Sequence, residues 1–331
     1  MDPATVVVCA GCGHRAPDDE PYPFRCPNAG TDDVDHLMVR ELDPDHVEFP
    51  DDEDAANPFV RYRELFHSYH LGRRHGLSDE DVVGIVEDLD HAVAAVEGHG
   101  FAETPFAPAP ELSERLGFEV WVKDETGNVS GSHKARHAMG LMIHLLEVER
   151  AGLAPDGPPA DLAIASCGNA ALGAAVLARA AERTLRVFVP TWADQAVLDR
   201  LRTLGAAIYV CPRDEDVPGD PAYHALRRAL AEGALAFTAQ GPDNGLTIEG
   251  GETLGFEMVS ALRRAGTGLD RLVVQVGGGA LASSLVRAFE DAALLEAPER
   301  LPRIHAVQTE GGHPLERAYR LILQRTGPGP T

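Results

Sequence analysis

The sequence predicts an α/β protein: two open parallel-sheet αβα domains behind a small cysteine-bearing knuckle. Three observations carry this. From about residue 160 onward, short apolar runs alternate with Ala-rich or amphipathic stretches, and buried strands alternating with helices make parallel sheets covered on both faces. At 331 residues, 44% of them hydrophobic, the chain exceeds one ordinary domain and can build a real core. Residues 1–56 differ from the rest, holding three of the five cysteines and two acidic runs.

In chain order, "CAGCGHRAPDDEPYPFRCPNAG" supplies Cys9, Cys12 and Cys26. A Cys-x-x-Cys turn offers two thiolates to a metal, and a zinc ribbon's second turn offers two more. Here Ala29 stands where the fourth cysteine is expected, and His36, His14 or Asp32 could complete a tetrahedral site; spacing does not choose. The set carried forward is Cys9, Cys12, Cys26 and His36 around a structural zinc, against a knuckle held by packing alone. "PDDEDAANP" reads as a linker. Two helices follow, "PFVRYRELFHSYHLGRRHG" and, after the N-cap Ser78, "DEDVVGIVEDLDHAVAAVEGHG". "FAETPFAPAP" is extended and "FEVWVKDE" alternates as a strand. Strand and helix then alternate: "DLAIA", "AALGAAVLARAAER", "LRVFVP", "DQAVLDRLRTLG", "AAIYVC", "PAYHALRRALAEG", "ALAFTA", the turn-rich "QGPDNG", "RLVVQV", "LASSLVRAFEDA", "RIHAVQ" and "HPLERAYRLILQR". The domains expected are 1–56 (knuckle and linker), 57–120 with 240–331 (large) and 121–239 (small).

Composition excludes some classes. A net charge of −23 argues against nucleic acid and anionic membrane as partners. No run of 18 apolar residues exists to span a membrane, and the N-terminus lacks a signal-peptide pattern. Five unevenly placed cysteines make no disulfide framework, so a reducing cytoplasm is the expected compartment.

Of 29 basic residues only two are lysine, Lys123 and Lys134. An amine can lose its proton and attack a carbonyl; a guanidinium cannot. A chain that writes its cations as Arg keeps Lys where an amine is needed. Three loops follow strand ends, where open α/β folds place ligands: "SGSHK" (130–134), "SCGN" (166–169) and "GGGA" (277–280). Gly277, Gly278 and Gly279, opening a helix, suit a phosphate held by backbone N–H groups. With Ala282 they also fit G-x-G-x-x-A, and Glu310 ends the next strand, which makes an NAD-binding oxidoreductase the rival; that motif alone is weak. A phosphate cradle together with a retained lysine suits pyridoxal 5′-phosphate.

Four segments then resemble one family in its own order. "KDETGNVSGSHKAR" resembles the lysine motif of the fold type II pyridoxal-phosphate enzymes, the tryptophan synthase β-like superfamily, and most nearly threonine synthase and threonine dehydratase. "ASCGNAALGAA" resembles their Ser-x-Gly-Asn loop, "LTIEGGETLGFE" (246–257) the segment between their two domains, and "VGGGALAS" their phosphate loop. The cysteine knuckle resembles one carried by many threonine synthases.

The resemblance implies a cofactor cleft between the domains and a lyase acting on a small amino acid. Lys134 would be the Schiff-base lysine and would abstract the Cα proton. Asn169 would bond the cofactor's 3′-oxygen, Gly277, Gly278, Gly279 and Ala280 its phosphate, and Ser166, Gly168 and Asn169 the substrate. His133, where threonine synthases often carry Phe, would reach the phosphate or pack behind the ring. Cys167 reads as a small hydrophobe, Lys123 as structural, and Glu125 as a surface, N-cap or cofactor-side residue. The implied reaction is O-phosphohomoserine to threonine; threonine or serine dehydration and β-replacement are the alternatives, and a catalytically silent relative is a further one. A homodimer is the expected assembly. The family places a Ser, Thr or Cys beside the pyridine nitrogen, from a strand downstream of the phosphate loop. Here Thr309 stands one strand too early. The expectation is that these 331 residues lack the family's last segment, as a fragment or as a chain completed by a partner.

Overall fold

Residues 3–30, 35–50, 55–214, 216–297 and 300–326 are described by a computed structural model. Strands β1 (Thr5–Cys9) and β2 (Met38–Leu42) pair antiparallel and turn Val7, Cys9, Met38 and Leu42 inward. Neither was expected, because each depends on a partner about thirty residues away rather than on its own pattern. The single helix expected over 58–76 is instead α1 (Pro58–Arg61), a 3-10 turn at Arg63–Leu65 and α2 (His67–Arg74). Phe66 is extended between them, and the break buries Phe59, Tyr62, Leu65 and Phe66 together. Helix α3 (Asp79–Glu97) starts at Ser78 as expected, in a capping box with Asp81, and stops at Gly98 in the left-handed region.

The two extended stretches that follow shrink to a three-residue antiparallel pair, β3 (Phe106–Pro108) and β4 (Trp121–Lys123), around α4 (Pro110–Leu116). Then come α5 (Lys134–Arg150), β5 (Leu162–Ala165), α6 (Asn169–Ala180), β6 (Leu185–Pro190), α7 (Gln195–Thr203), β7 (Ala207–Cys211), α8 (Pro221–Ala231), β8 (Leu235–Ala236), α9 (Thr247–Ala265), β9 (Arg271–Gln275), α10 (Ala280–Leu294), β10 (Arg303–Val307) and α11 (Pro314–Thr326).

Strands β7-β6-β5-β8 form a four-stranded parallel sheet. Its alternation is visible in the core. Leu162, Ile164, Val187 and Val189 face α5 and α6, while Ala163 and Phe188 pack on Ala222, Ala225, Leu226 and Ala229 of α8. A second open sheet does not form as one unit among the described residues. The parallel pair β9–β10 and the hairpin β3–β4 stand apart, with a cavity between β4 and β9. All five residues of β10 are exposed, as are Leu315, Tyr319 and Ile322 of α11. No described helix is long and apolar enough to cross a membrane.

The segment "LTIEGGETLGFE" supplies the first half of a largely buried 19-residue helix, α9. Its glycines are contact points. A Cβ on Gly140 of α5 would lie 2.7 Å from the Gly250 Cα, and one on Gly250 would fall on the Arg136 carbonyl oxygen. The two helices therefore cross backbone against backbone.

The N-terminal ladder is built into this core. Arg40 of β2 enters a pocket of three carboxylates, Glu249 (2.9 Å), Glu252 (2.5 Å) and Asp291 (2.6 Å), from α9 and α10. Beside it, the Thr5 hydroxyl and the His67 Nδ1 are 3.1 Å apart, and His144 Nε2 donates to the Pro21 carbonyl at 2.8 Å. Glu147 is buried in the same region with Oε2 unpartnered among the described residues, and burial pushes its carboxyl up to about 8. A carboxyl raised on folding contributes stability that is full below its unfolded value, about 4.3, and is lost as pH rises through 8. Glu147→Gln should therefore match the parent near pH 5 and exceed it by roughly 3 kcal/mol at pH 8 in urea denaturation. A pH-independent difference would refute the burial account.

Candidate active site

The segment before α5 is bent by its backbone. Within the 3-10 turn Val129–Gly131, Ser130 has φ 56° and Gly131 φ 69°, and Ser132 then returns to extended backbone. A serine in the left-handed region is uncommon and marks a loop shaped by its surroundings. The Asn128 amide holds it, donating to the Ser132 carbonyl (3.1 Å) and to Glu125 (3.0 Å). The Ser130 hydroxyl is buried without a partner among the described residues. His133 caps α5, and Lys134 is its first residue.

The two lysines separate clearly. Lys123 is spent on structure, as expected, donating to the Thr104 carbonyl at 2.7 Å and pairing with Glu257. Lys134 is half-buried, has no carboxylate partner among the described residues, and burial lowers its pKa. His133 is pushed down to about 4 by burial, then by the Lys134 and Arg136 charges, and its Nε2 is buried and unpartnered.

Arg136, two residues on, is fully buried at 0% exposure. Its guanidinium forks onto two carboxylates, Glu125 (2.8 and 3.0 Å) and Glu257 (2.6 and 3.2 Å), and also donates to Thr253 (2.9 Å) and Thr104 (3.1 Å). Burial opposes its charge, but Glu257 and Glu125 more than offset that. Glu125 is thus neither a surface nor a cap residue; it belongs to a neutral four-charge cluster with Lys123, Arg136 and Glu257. Nothing in "HKAR" signals this, because the partners lie up to 121 residues away.

Three helix starts converge around the lysine. A Cβ on Gly173 of α6 would lie 3.0 Å from the Ala135 backbone, which sets the Asn169 end of α6 directly on the Lys134 turn. A Cβ on Gly251 of α9 would lie 2.5 Å from both the His137 ring and the Ser284 hydroxyl, one turn into α10. Helix α10 begins behind Gly279 (φ 104°), a conformation suited to glycine, and a Cβ on Gly277, Gly278 or Gly279 would meet nothing within 4 Å. That open ground lies before the N-terminus of α10, where an anion is favoured. Asn169 is exposed; Ser166 and Gly168 are half-buried, with the Gly168 N–H 3.4 Å from the Ser166 hydroxyl. Cys167 packs against the core. The cavity between β4 and β9, about 1020 Å³, draws Ser132, His133, Asn169 and Gln275 into one wall. Lys134, Ser166, Gly168 and the glycine loop lie outside that wall.

At the N-terminus, Cys9, Cys12, Cys26 and His36 bring four ligand atoms within 4.8 Å of one another. Cys9 Sγ is 3.6 Å from His36 Nδ1, and Cys12 Sγ is 3.7 Å from Cys26 Sγ. His14 is outside the group, and Asp32 lies outside the described residues. All five cysteines are free thiols.

Fold and site define a class: an open parallel α/β protein with a half-buried lysine, unpaired among the described residues, where helix N-termini meet. Residues 99–328 match the model of the pyridoxal-phosphate dependent enzymes, and the chain belongs to that family. It is similar to L-threonine dehydratase biosynthetic IlvA of Corynebacterium glutamicum, 28% identical over 58% of this chain and 42% of that protein. It is likewise similar to L-threonine ammonia-lyase of Thermotoga maritima (30%; 56% and 42%) and threonine synthase of Methanocaldococcus jannaschii (25%; 71% and 53%). The chain thus spans about two fifths of the length of the first two. A pyridoxal 5′-phosphate-dependent aspartate racemase (TM-score 0.53, 22% identity, 74% of this chain and 68% of that one) shares the fold. So does serine racemase from Dictyostelium discoideum (0.52, 20%, 72% and 69%).

The four-charge cluster makes a direct prediction. Arg136→Met leaves two buried carboxylates facing one lysine and should cost about 3–5 kcal/mol in urea denaturation, more than Lys123→Met. A loss under about 1 kcal/mol would show that the cluster does not organise the Lys134 turn.

Proposed function

We propose that the chain binds pyridoxal phosphate through Lys134 and acts as a lyase on a small amino acid bearing oxygen at Cβ or Cγ. The observation that carries this is the contrast between its two lysines: Lys123 bound by Glu257, Lys134 half-buried with its amine unpaired among the described residues. The surroundings fit the cofactor, with open space before the α10 N-terminus and unpartnered polar atoms at Ser130 and His133. When bound, pyridoxal phosphate supplies an electron sink for a Cα carbanion.

The chain's own groups do the rest. In this reading Gly277, Gly278, Gly279 and Ala280 hold the phosphate by backbone N–H groups. Neutral His133 donates to the phosphate, and Asn169 bonds the cofactor's 3′-oxygen. Ser166 and Gly168 receive the substrate carboxylate. The Lys134 amine, with its pKa lowered by burial, takes the Cα proton as general base. The cleft lies between residues 57–120 with 240–331 and residues 121–239.

Sequence resemblance alone favours threonine synthase. The relatives named threonine dehydratase and threonine ammonia-lyase support loss of a hydroxyl with release of ammonia as the first reading. The second reading, loss of phosphate, is favoured by the longer stretch shared with the threonine synthase, 71% of this chain. Borohydride treatment of the protein with pyridoxal phosphate should leave one pyridoxyl adduct, on Lys134, and Lys134→Arg should abolish it. An adduct on Lys123 sinks the assignment. A panel of serine, threonine, O-phosphohomoserine and O-acetylserine, read for 2-oxo acid, ammonia and phosphate, separates the lyase readings. An adduct without turnover identifies a binding relative, and bound NAD without an adduct identifies the oxidoreductase.

Three thiolates and an imidazole within 4.8 Å fit a tetrahedral structural zinc at Cys9, Cys12, Cys26 and His36. We expect one zinc per chain by metal analysis, lost together with thermal stability in Cys26→Ser. A metal-free native protein of unchanged melting temperature would rule it out.

A further inference from the structure

We infer that His137 is a positioning residue for Lys134: its imidazole, fixed against the start of α9, presents an unprotonated Nε2 that receives the Lys134 amine when that amine is not joined to the cofactor. This rests on the reading of Lys134 above.

The tautomer follows from geometry. His137 Nδ1 lies 2.7 Å from the Thr247 carbonyl oxygen. A carbonyl only accepts, so Nδ1 carries the proton, and a neutral ring leaves Nε2 bare. That nitrogen is buried in a residue only 2% exposed and has no donor among the described residues. A buried acceptor without a donor is costly, so its persistence calls for a partner that arrives during function. Lys134 is three residues earlier on α5, the spacing that sets two side chains on one helix face. The His133 ring stands edge-on at 6.0 Å between centroids. The ring cannot swing away, because Gly251 leaves room for it and nothing more; a Cβ there would collide with the ring and with Ser284.

The charged surroundings keep the ring an acceptor. Burial, then the Lys134 charge, pushes His137 down to about 3; His133 and Arg136 add to this. These groups all belong to the start of α5. The other packed elements present Thr247 and Gly251 of α9 and Ser284 of α10, none titratable. Arg136 is already shared by Glu125 and Glu257. When the Lys134 amine takes the Cα proton it becomes an ammonium; the proton stays on Nζ, and Nε2 accepts a hydrogen bond from it. The ammonium is thereby held in one direction until it returns the proton.

The test uses the cofactor-free chain. The rate of Lys134 arylation by 2,4-dinitrofluorobenzene is followed against pH by peptide mass spectrometry. His137→Asn keeps a donor for the Thr247 carbonyl and removes the Nε2 acceptor. The Lys134 midpoint should then fall by about one pH unit, because a charged hydrogen bond that favours the ammonium is lost. His137→Gln restores an acceptor at the Nε2 position and should restore the midpoint. If His137→Asn lowers only the melting temperature and leaves the midpoint unmoved, the role is structural and the inference fails. Should the variants not fold, 15N-histidine spectra of the parent decide. An unprotonated Nε2 that shifts with Lys134 titration supports the inference, and an Nε2–H tautomer overturns it. A pyridoxyl adduct on another residue would instead defeat the reading of Lys134, whatever the titration shows.

Discussion

The guanidinium of Arg136 is the interaction on which the site depends. It ties the segment before the lysine loop, the first turn of α5 and the middle of α9 into one group, through Glu125, Thr104, Thr253 and Glu257. Arg supplies a planar fork that a lysine could not, and each carboxylate is gripped twice. With Lys123 the charges balance, which removes the penalty of burying any one of them alone. The cluster's carboxylates are thereby taken up, and Lys134 has no carboxylate partner among the described residues.

A parallel construction joins the N-terminal ladder to the core. Arg40 meets Glu249, Glu252 and Asp291, and two of these belong to the glycine-bearing half of α9. The Gly245 N–H donates to the Phe24 carbonyl at 2.8 Å, and a Cβ on Gly245 would strike Met38. The ladder that carries the Cys/His group is therefore part of the wall behind the site. Removing it would strand three buried carboxylates.

Much of this could be read from residues alone. The alternation after residue 160 gives the four-stranded sheet because its two central strands, β5 and β6, are largely apolar and buried on both faces. Lys134 stood out by composition, and the three loops by their glycines and polar residues at strand ends. What escaped was held by distant partners. Strands β1 and β2 are five residues each and exist through each other. Helix α9 was not expected: Gly250, Gly251 and Gly255 are poor helix formers, and here they serve close helix contacts. Arg40, Arg136 and His137 look like surface residues until their carboxylates and the Thr247 carbonyl are brought to them. Ser130 carries no sequence signal at all; its left-handed backbone is imposed by the loop around it. The expected second sheet is not joined among the described residues, where β4 and β9 lie across a cavity rather than side by side.

The glycine contacts have a mechanical consequence. Helix α5 meets α9 at Gly140 and Gly250, and α6 at Gly173, with no side chain in between to act as a bearing. Surfaces that touch through backbone cannot slide or roll without lifting apart, since there are no rotamers to absorb the displacement. The Lys134 turn, the Asn169 end of α6 and the first half of α9 therefore form one stiff frame. Any opening of this region has to come from bending in the connecting segments at its rim, while the spacing of the three helices at these contacts stays constant.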